Sequence, residues 1–190
     1  MGERFLEWLR WAVQQVGDGY FGFSERVYCY ELYHLIRVRM HIYERQNGPL
    51  REIFLHSELV KRIITREQAD FYEVRPLGEQ RIPDFIFHTP NNFNNQVATM
   101  EVKVATLYAA DLYDDLRKLT DMAERYQYQL AIFHCINNPR ERLLSLLSEI
   151  EDEWANLNPG IIILLRENYY SRVQQTTLGA MIDEIIQGRN

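Results

Sequence analysis

Between residues 82 and 104 the chain alternates so as to sort its side chains onto two faces. Ile82-Pro83-Asp84-Phe85-Ile86-Phe87-His88 and Val97-Ala98-Thr99-Met100-Glu101-Val102-Lys103-Val104 both read as strands, in which every second residue points the same way. Asp84, Ile86 and His88 share one face of the first strand, opposite Phe85 and Phe87. Thr99, Glu101 and Lys103 share one face of the second, opposite the apolar row Met100, Val102 and Val104. If the strands pair through the polar segment 88–96, Asp84, Glu101 and Lys103 become neighbours.

The remaining pattern is mostly helical. Residues 3–16 carry apolar groups at helical spacing and stop at Gly17-Asp18-Gly19, which predicts a short amphipathic helix. Its Phe5, Trp8, Leu9 and Ala12 are core or dimer contacts, with Trp8 and Trp11 the natural anchors of a homodimer. Ser24 caps a predicted helix to about Asn47, ended by Gly48-Pro49. Its polar face collects Arg26, Tyr30, His34, Arg37, His41 and Glu44. The stripe beside it holds Val27, Tyr28, Leu35, Val38 and Ile42, with Glu31 in its middle and Glu25 about 120° away. A carboxylate within an apolar stripe needs a cation, a donor or a metal, because leaving it unpaired out of water is costly. Pairing of Glu31 with Arg37 or His34 is the simplest way to meet that need.

Residues 50–57 read as a strand, 63–74 show no clear period, and 75–79 form a loop. Residues 107–125 alternate Leu112, Leu116, Leu119 and Ala123 with Asp111, Asp115 and Lys118, an amphipathic helix. Tyr128–Ile136 and Ile161–Leu165 are apolar runs suited to strands covered on both faces. Helices are expected from Pro139 to about Leu157 and from Thr176 to Gln187. The order is helix, three strands, helix, strand, helix, strand, helix, which implies an α/β fold with a central mixed sheet flanked by helices.

Composition narrows the picture only a little. The 190 residues, 46% hydrophobic and 25% charged, fit a single domain with a sizeable core. No apolar run approaches the roughly 20 residues of a membrane span, and Met1-Gly2-Glu3-Arg4-Phe5-Leu6 lacks signal-peptide character, so no membrane partner and a cytoplasmic location are expected. The 2 cysteines, Cys29 and Cys135, lie in apolar contexts without ligand spacing and read as reduced, buried thiols. A net charge of −6 argues against broad attraction to nucleic acid but permits a local basic groove.

The hairpin carries the chemistry. A divalent ion held by carboxylates suits phosphodiester hydrolysis, because it neutralises phosphate charge and lowers the pKa of bound water. Magnesium keeps several waters, so two or three protein oxygens suffice. Asp84 and Glu101 supply them, with the Val102 carbonyl as a further ligand and Glu31 completing the set from the helix. Lys103, one pleat beyond Glu101, reaches the same place and can orient water or stabilise negative charge. A Glu-x-Lys on a strand more often marks a solvated face with a cross-strand ion pair, so the order of elements around it matters.

Pro83-Asp84 followed by Glu101-Val102-Lys103, behind a helix containing Glu31, resembles the PD-(D/E)XK nuclease superfamily, whose restriction-endonuclease-like core runs αβββαβ. The resemblance covers residues 24–136, leaving 1–23 as an N-terminal helical extension and 137–190 as a C-terminal helix-strand-helix addition. The segments Tyr30–Arg37, Pro83–His88 and Met100–Lys103 are similar to those of bacterial members. The resemblance implies that Asp84 and Glu101 bind Mg²⁺ or Mn²⁺, that Lys103 is catalytic and that Glu31 is the auxiliary acid. His34, Arg37, His88 and Lys118 then become candidate phosphate contacts and nucleic acid, DNA with RNA as an alternative, the expected substrate. Glu58 and Lys61 are expected as solvated charges near the same cleft. A different class of reading is a non-catalytic interaction or regulatory module on this fold, a partner subunit in a defence or mobile-element system.

Overall fold

The computed structural model describes residues 1–22, 24–104 and 106–189. In chain order the elements are α1 (Gly2–Gln15), a 3-10 turn (Asp18–Tyr20), α2 (Glu25–Asn47), β1 (Phe54–Ser57), α3 (Arg66–Phe71), β2 (Phe85–His88) and β3 (Gln96–Val104). There follow α4 (Ala109–Arg125), β4 (Leu130–Ile136), α5 (Arg140–Glu149), a 3-10 segment (Glu151–Asn156), β5 (Ile162–Arg166), β6 (Gln174–Thr177) and α6 (Leu178–Gly188).

One six-stranded sheet runs in the order β1-β2-β3-β4-β5-β6. Its β3–β4 and β4–β5 pairs are parallel and its other pairs antiparallel, so the expected mixed sheet is present. The hairpin forms as alternation demands, with Phe85 opposite Met100 and Ile86 opposite Thr99. On one face, Phe85, Phe87, Met100, Val102, Ile132 and Leu164 pack under α1 and α2. On the other, Ala131, Phe133, Cys135, Ile163 and Leu165 pack under α4, α5 and α6, while Ile86 meets Met122 and Tyr126 of the α4 end. Among the described residues, no helix is long and apolar enough to cross a membrane.

Several expectations need correction. The first helix is a core element, as the spacing of Phe5, Trp8, Leu9 and Ala12 allows: these and Val13 are buried, and Phe5 stacks on Phe87 with ring centroids 4.8 Å apart. Trp8, only 2% exposed and packed between Tyr43 and Phe87, is spent within its own core and cannot anchor a homodimer. Trp11 is half-buried, with the Arg39 guanidinium 5.0 Å from its ring centroid. Two elements were not foreseen. Thr65 and Gln68 form a reciprocal capping box that starts α3, and the polar strand β6 pairs antiparallel with β5 at the sheet edge. The helix expected from Pro139 to Leu157 breaks after Glu149 into a 3-10 segment.

Helix α2 stops where Gly48 adopts φ +87°, a left-handed value open to glycine, and donates its N–H to the Glu44 carbonyl at 2.9 Å. The stripe it buries is Tyr28, Cys29, Leu32, Ile36 and Met40. This stripe is turned by about one residue, some 100°, from the expected one, and Val27 and Ile42 stand exposed. Glu25 lies at the head of the true stripe, four residues before Cys29 and seven before Leu32.

The far end of the sheet is tied to α1 by Arg166, which is 2% exposed and has no carboxylate partner among the described residues. Its guanidinium donates to the carbonyls of Val13 (2.7 Å), Val16 (3.2 Å) and Ser171 (3.3 Å) and to that of Tyr169, and lies 4.6 Å from the Phe21 ring centroid. Val13 and Val16 close the C-terminal turn of α1, where unpaired carbonyls and the helix dipole both favour a cation. Replacing Arg166 with Leu orphans these buried acceptors, and urea denaturation should show a loss of roughly 2–4 kcal/mol.

Candidate functional site

The site is built at the C-terminal half of β3, on the face that meets α4. Beyond the Phe85–Met100 pair β2 ends, because Pro83 has no N–H to give. The buried Val102 amide is satisfied instead by Asp84, whose Oδ2 accepts it at 2.7 Å. That bond sets the Asp84 carboxylate beside Glu101. A strand residue sends its N–H and C=O to the same side, so the Val102 carbonyl also faces Asp84.

Glu101 is 2% exposed. Its Oε2 accepts from Lys118 Nζ of α4 at 2.8 Å, while its Oε1 is buried with no hydrogen-bond partner. Asp115, one turn before Lys118 and 6% exposed, lies between the two lysines: Oδ1 is 3.3 Å from Lys118 Nζ and Oδ2 is 3.2 Å from Lys103 Nζ. Lys103 also reaches Glu25 of α2 at 3.6 Å. Four carboxylates, Asp84, Glu101, Asp115 and Glu25, thus surround two ammonium groups.

This excess of acid shows in the proton affinities. Burial raises Asp84 to about 6, with Glu25 adding to the shift and the Val102 N–H opposing it. Burial, and next the Asp84 charge, raise Glu101 well above the carboxylate range against the pull of Lys118. Burial alone would lower both lysines. Asp115 and Glu25 outweigh it at Lys103, and Glu101 and Asp115 outweigh it at Lys118, so both stay above the ordinary lysine value. Lys103 is therefore a fixed cation at neutral pH, able to donate to negative oxygen.

Of the other expected residues, Lys118 belongs to the site and Glu58 lies beside it, while the rest are placed elsewhere. Glu31 is half-buried, about 9 Å along α2 and 120° around it from Glu25, with no hydrogen bond or ion pair among the described residues. The helix acid beside Lys103 is Glu25. His34 and Arg37 are exposed about 14 and 18 Å along the helix from Glu25, and among the described residues Arg37 donates to the Met40 sulfur at 3.9 Å. His88 is 1% exposed at the opposite end of β2, bonded to His56 and Lys61. Lys118 is committed to Glu101 and Asp115 rather than to solvent. Glu58 stays near the site through its N–H to the Asp84 carbonyl (3.1 Å) and lies 3.7 Å from Arg26, but Lys61 is half-buried against His88 rather than solvated. Asp115 was missed, although an acid three residues before a lysine on the helix after β3 was visible on the polar side of that pattern.

No family model matches the chain, and neither a curated protein nor a solved structure matches it significantly. The site must be read from its own chemistry. Among the described residues, no three His, Cys, Asp or Glu side chains are grouped to enclose a metal by themselves, which does not suit zinc with its three or four protein ligands. Magnesium asks less, often one or two carboxylates with the rest water. Glu101 Oε1 and Asp84 Oδ1, which accept no hydrogen bond among the described residues, together with the Val102 carbonyl, fit that requirement. A surface cavity of about 620 Å³ between α1 and the approach to β6, lined by Arg10, Trp11 and Arg172 among others, lies apart from these residues.

Such an arrangement trades stability for ionic strain. Glu101→Gln keeps an acceptor for Lys118 and removes a charge from among three other acids. It should raise the unfolding free energy of the metal-free protein by about 1 kcal/mol, measured by chemical denaturation.

Proposed function

We propose that the chain is a Mg²⁺- or Mn²⁺-dependent nuclease that hydrolyses phosphodiester bonds of DNA, with RNA as the alternative substrate, on a restriction-endonuclease-like core formed by α2, β1, β2, β3, α4 and β4. The observation that carries this reading is the pair Asp84 and Glu101, each with an unengaged carboxylate oxygen, on the same sheet face as Lys103. Glu101 lies in the C-terminal half of β3, where that strand runs parallel to β4, toward the side on which open α/β sheets collect ligands, which supports it further.

In this reading Asp84, Glu101 and the Val102 carbonyl hold the ion, which supplies charge neutralisation and an activated water. Lys103, kept protonated by Asp115 and Glu25, donates to an oxygen on which negative charge develops. Asp115 positions both lysines, and Glu25 takes the part of the helix acid that the sequence pattern had given to Glu31.

Purified protein incubated with single-stranded and duplex DNA and with RNA should cut only when Mg²⁺ or Mn²⁺ is present. Asp84→Ala, Glu101→Ala and Lys103→Ala should each lower the rate by at least about a hundredfold, Glu25→Ala by less, and Glu31→Ala hardly at all. Cutting that survives Asp84→Ala or Lys103→Ala belongs to a contaminant and removes the proposal.

Proton affinity sets the pH dependence of metal binding. Asp84 titrates near 6 and Glu101 higher than usual, so protons compete with the ion at acid pH. Mn²⁺ affinity, followed by calorimetry, should fall steeply as pH drops through 6 and rise as it climbs above.

The Lys118 ammonium at 2.8 Å from Glu101 favours a second reading, a metal-free interaction module in which lysine permanently neutralises the acid. Calorimetry separates the two: Mn²⁺ binding that Glu101→Ala abolishes excludes the module, and no binding at neutral pH supports it.

A further inference from the structure

On the same sheet face as Asp84 and Glu101, β1 and β2 bring together three basic side chains. His56 lies opposite Ile86 and His88 two residues farther along β2. His56 Nδ1 is 3.2 Å from His88 Nε2, and His88 Nδ1 is 3.1 Å from Lys61 Nζ. No carboxylate pairs with any of the three among the described residues. Lys61 is packed 5.6 Å from the Tyr128 ring centroid, and Phe54, half-exposed, stacks on the His56 ring with centroids 6.0 Å apart.

The protons in this chain have only one consistent arrangement. Lysine is a donor without an acceptor site, so His88 Nδ1 accepts from Lys61. Burial holds His88 neutral, lowering it to about 3, and lowers Lys61 only to about 8, so at pH 7 the lysine keeps its charge. A neutral imidazole accepting at Nδ1 carries its hydrogen on Nε2, and His88 therefore donates to His56 Nδ1. His56 in turn carries its hydrogen on Nε2, which has no hydrogen-bond partner among the described residues and is not sealed from solvent. A charged donor behind two polarised imidazoles strengthens the last N–H in the series.

We infer that His56 Nε2–H, backed by Lys61 through His88, is the contact point of a phosphate subsite on the β1 edge, with Phe54 beside it as a platform for the attached base. The inference rests on the nucleic-acid reading above and names where the strand runs. The Glu58 amide bonds the Asp84 carbonyl, and His56 stands two residues back along β1, about 7 Å away along the strand. One nucleic-acid strand can reach both places. A cluster of bases without acid lacks an anion, as the cluster of acids next to it lacks a cation, and an exposed aromatic beside a phosphate donor is a common way to hold single strands.

Two measurements test it in metal-free EDTA buffer. Nitrogen-15 NMR of the imidazoles at pH 7 should show Nδ1 unprotonated in both His56 and His88; a proton on His88 Nδ1 overturns the inference. Fluorescence anisotropy with a short labelled single-stranded oligodeoxynucleotide should show His56→Ala and Lys61→Met each weakening binding by roughly tenfold, and Phe54→Ala weakening it too. Circular dichroism checks that the variants are folded, and His56→Ala, at a half-buried position, decides the matter if Lys61→Met is not. Wild-type affinity in His56→Ala overturns the subsite even if the chain cuts DNA, as does absence of oligonucleotide binding by the wild type. Inorganic phosphate that shifts the His56 resonances while oligonucleotide binding ignores His56→Ala identifies a free-anion site and overturns it as well. A chain that fails to cut DNA with Mn²⁺, yet binds the oligonucleotide through His56, supports the subsite and sinks only the nuclease.

Discussion

The amide of Val102 needs an acceptor. The residue is fully buried, its strand is the central link between the antiparallel and parallel halves of the sheet, and the neighbouring strand has already ended. A buried N–H left unpaired would be costly, and the Asp84 carboxylate accepts it at 2.7 Å. Backbone satisfaction thus forces a second acid against the buried Glu101. Everything else in the site answers that crowding: Lys118 neutralises one oxygen of Glu101, Asp115 ties Lys118 to Lys103, and Lys103 draws in Glu25 from α2. The acid excess survives these contacts, and it is the ground on which we propose a cation site here rather than a finished ion-pair network.

The hairpin that creates this geometry was legible because alternation with period two is unambiguous where one face is apolar. Phe85, Phe87, Met100 and Val102 could lie only on the core side, which left Asp84, Glu101 and Lys103 together on the other. Helix α2 was less legible for a physical reason. Its sequence mixes aromatic, aliphatic and charged residues around the whole circumference, so a stripe through Val27, Leu35 and Ile42 fits almost as well as the real one through Cys29, Leu32, Ile36 and Met40. A phase error of one residue exchanges Glu25 for Glu31. Tyr28 belongs to both stripes, and its hydroxyl bond to the buried His134 at 2.8 Å is a long-range contact that local periodicity cannot contain.

Long-range contacts also explain the other omissions. Strand β6, Gln174–Thr177, has no apolar alternation because it is an edge strand and largely exposed; β5 beside it is what makes it a strand. Arg166 looks like an ordinary strand-end charge until α1 presents its C-terminal carbonyls to it. Lys61 and His88 stand 27 residues apart and meet because β1 pairs with β2 and Lys61, four residues past β1, is held in a bridge to Arg81. Helix α3 is the exception. Thr65-x-x-Gln68 is a local capping signal, readable from the chain alone even though the six residues that follow are too short to show a period.

The proposed nuclease has to reconcile a net charge of −6 with a polyanionic substrate. Bulk attraction through many surface cations is not open to it, so affinity must come from few, well-placed groups. The sheet face offers two kinds of imbalance along one line: excess acid at Asp84 and Glu101, and excess base at His56, His88 and Lys61. In the proposed reading a divalent ion would turn the first into a phosphate site, and the second would be one without help. Without the metal, the acidic end repels a nucleic-acid strand that the basic end would hold. Contact at both ends would therefore need the ion, while the basic end would hold a strand without it, so binding would tighten when the protein is equipped to cut.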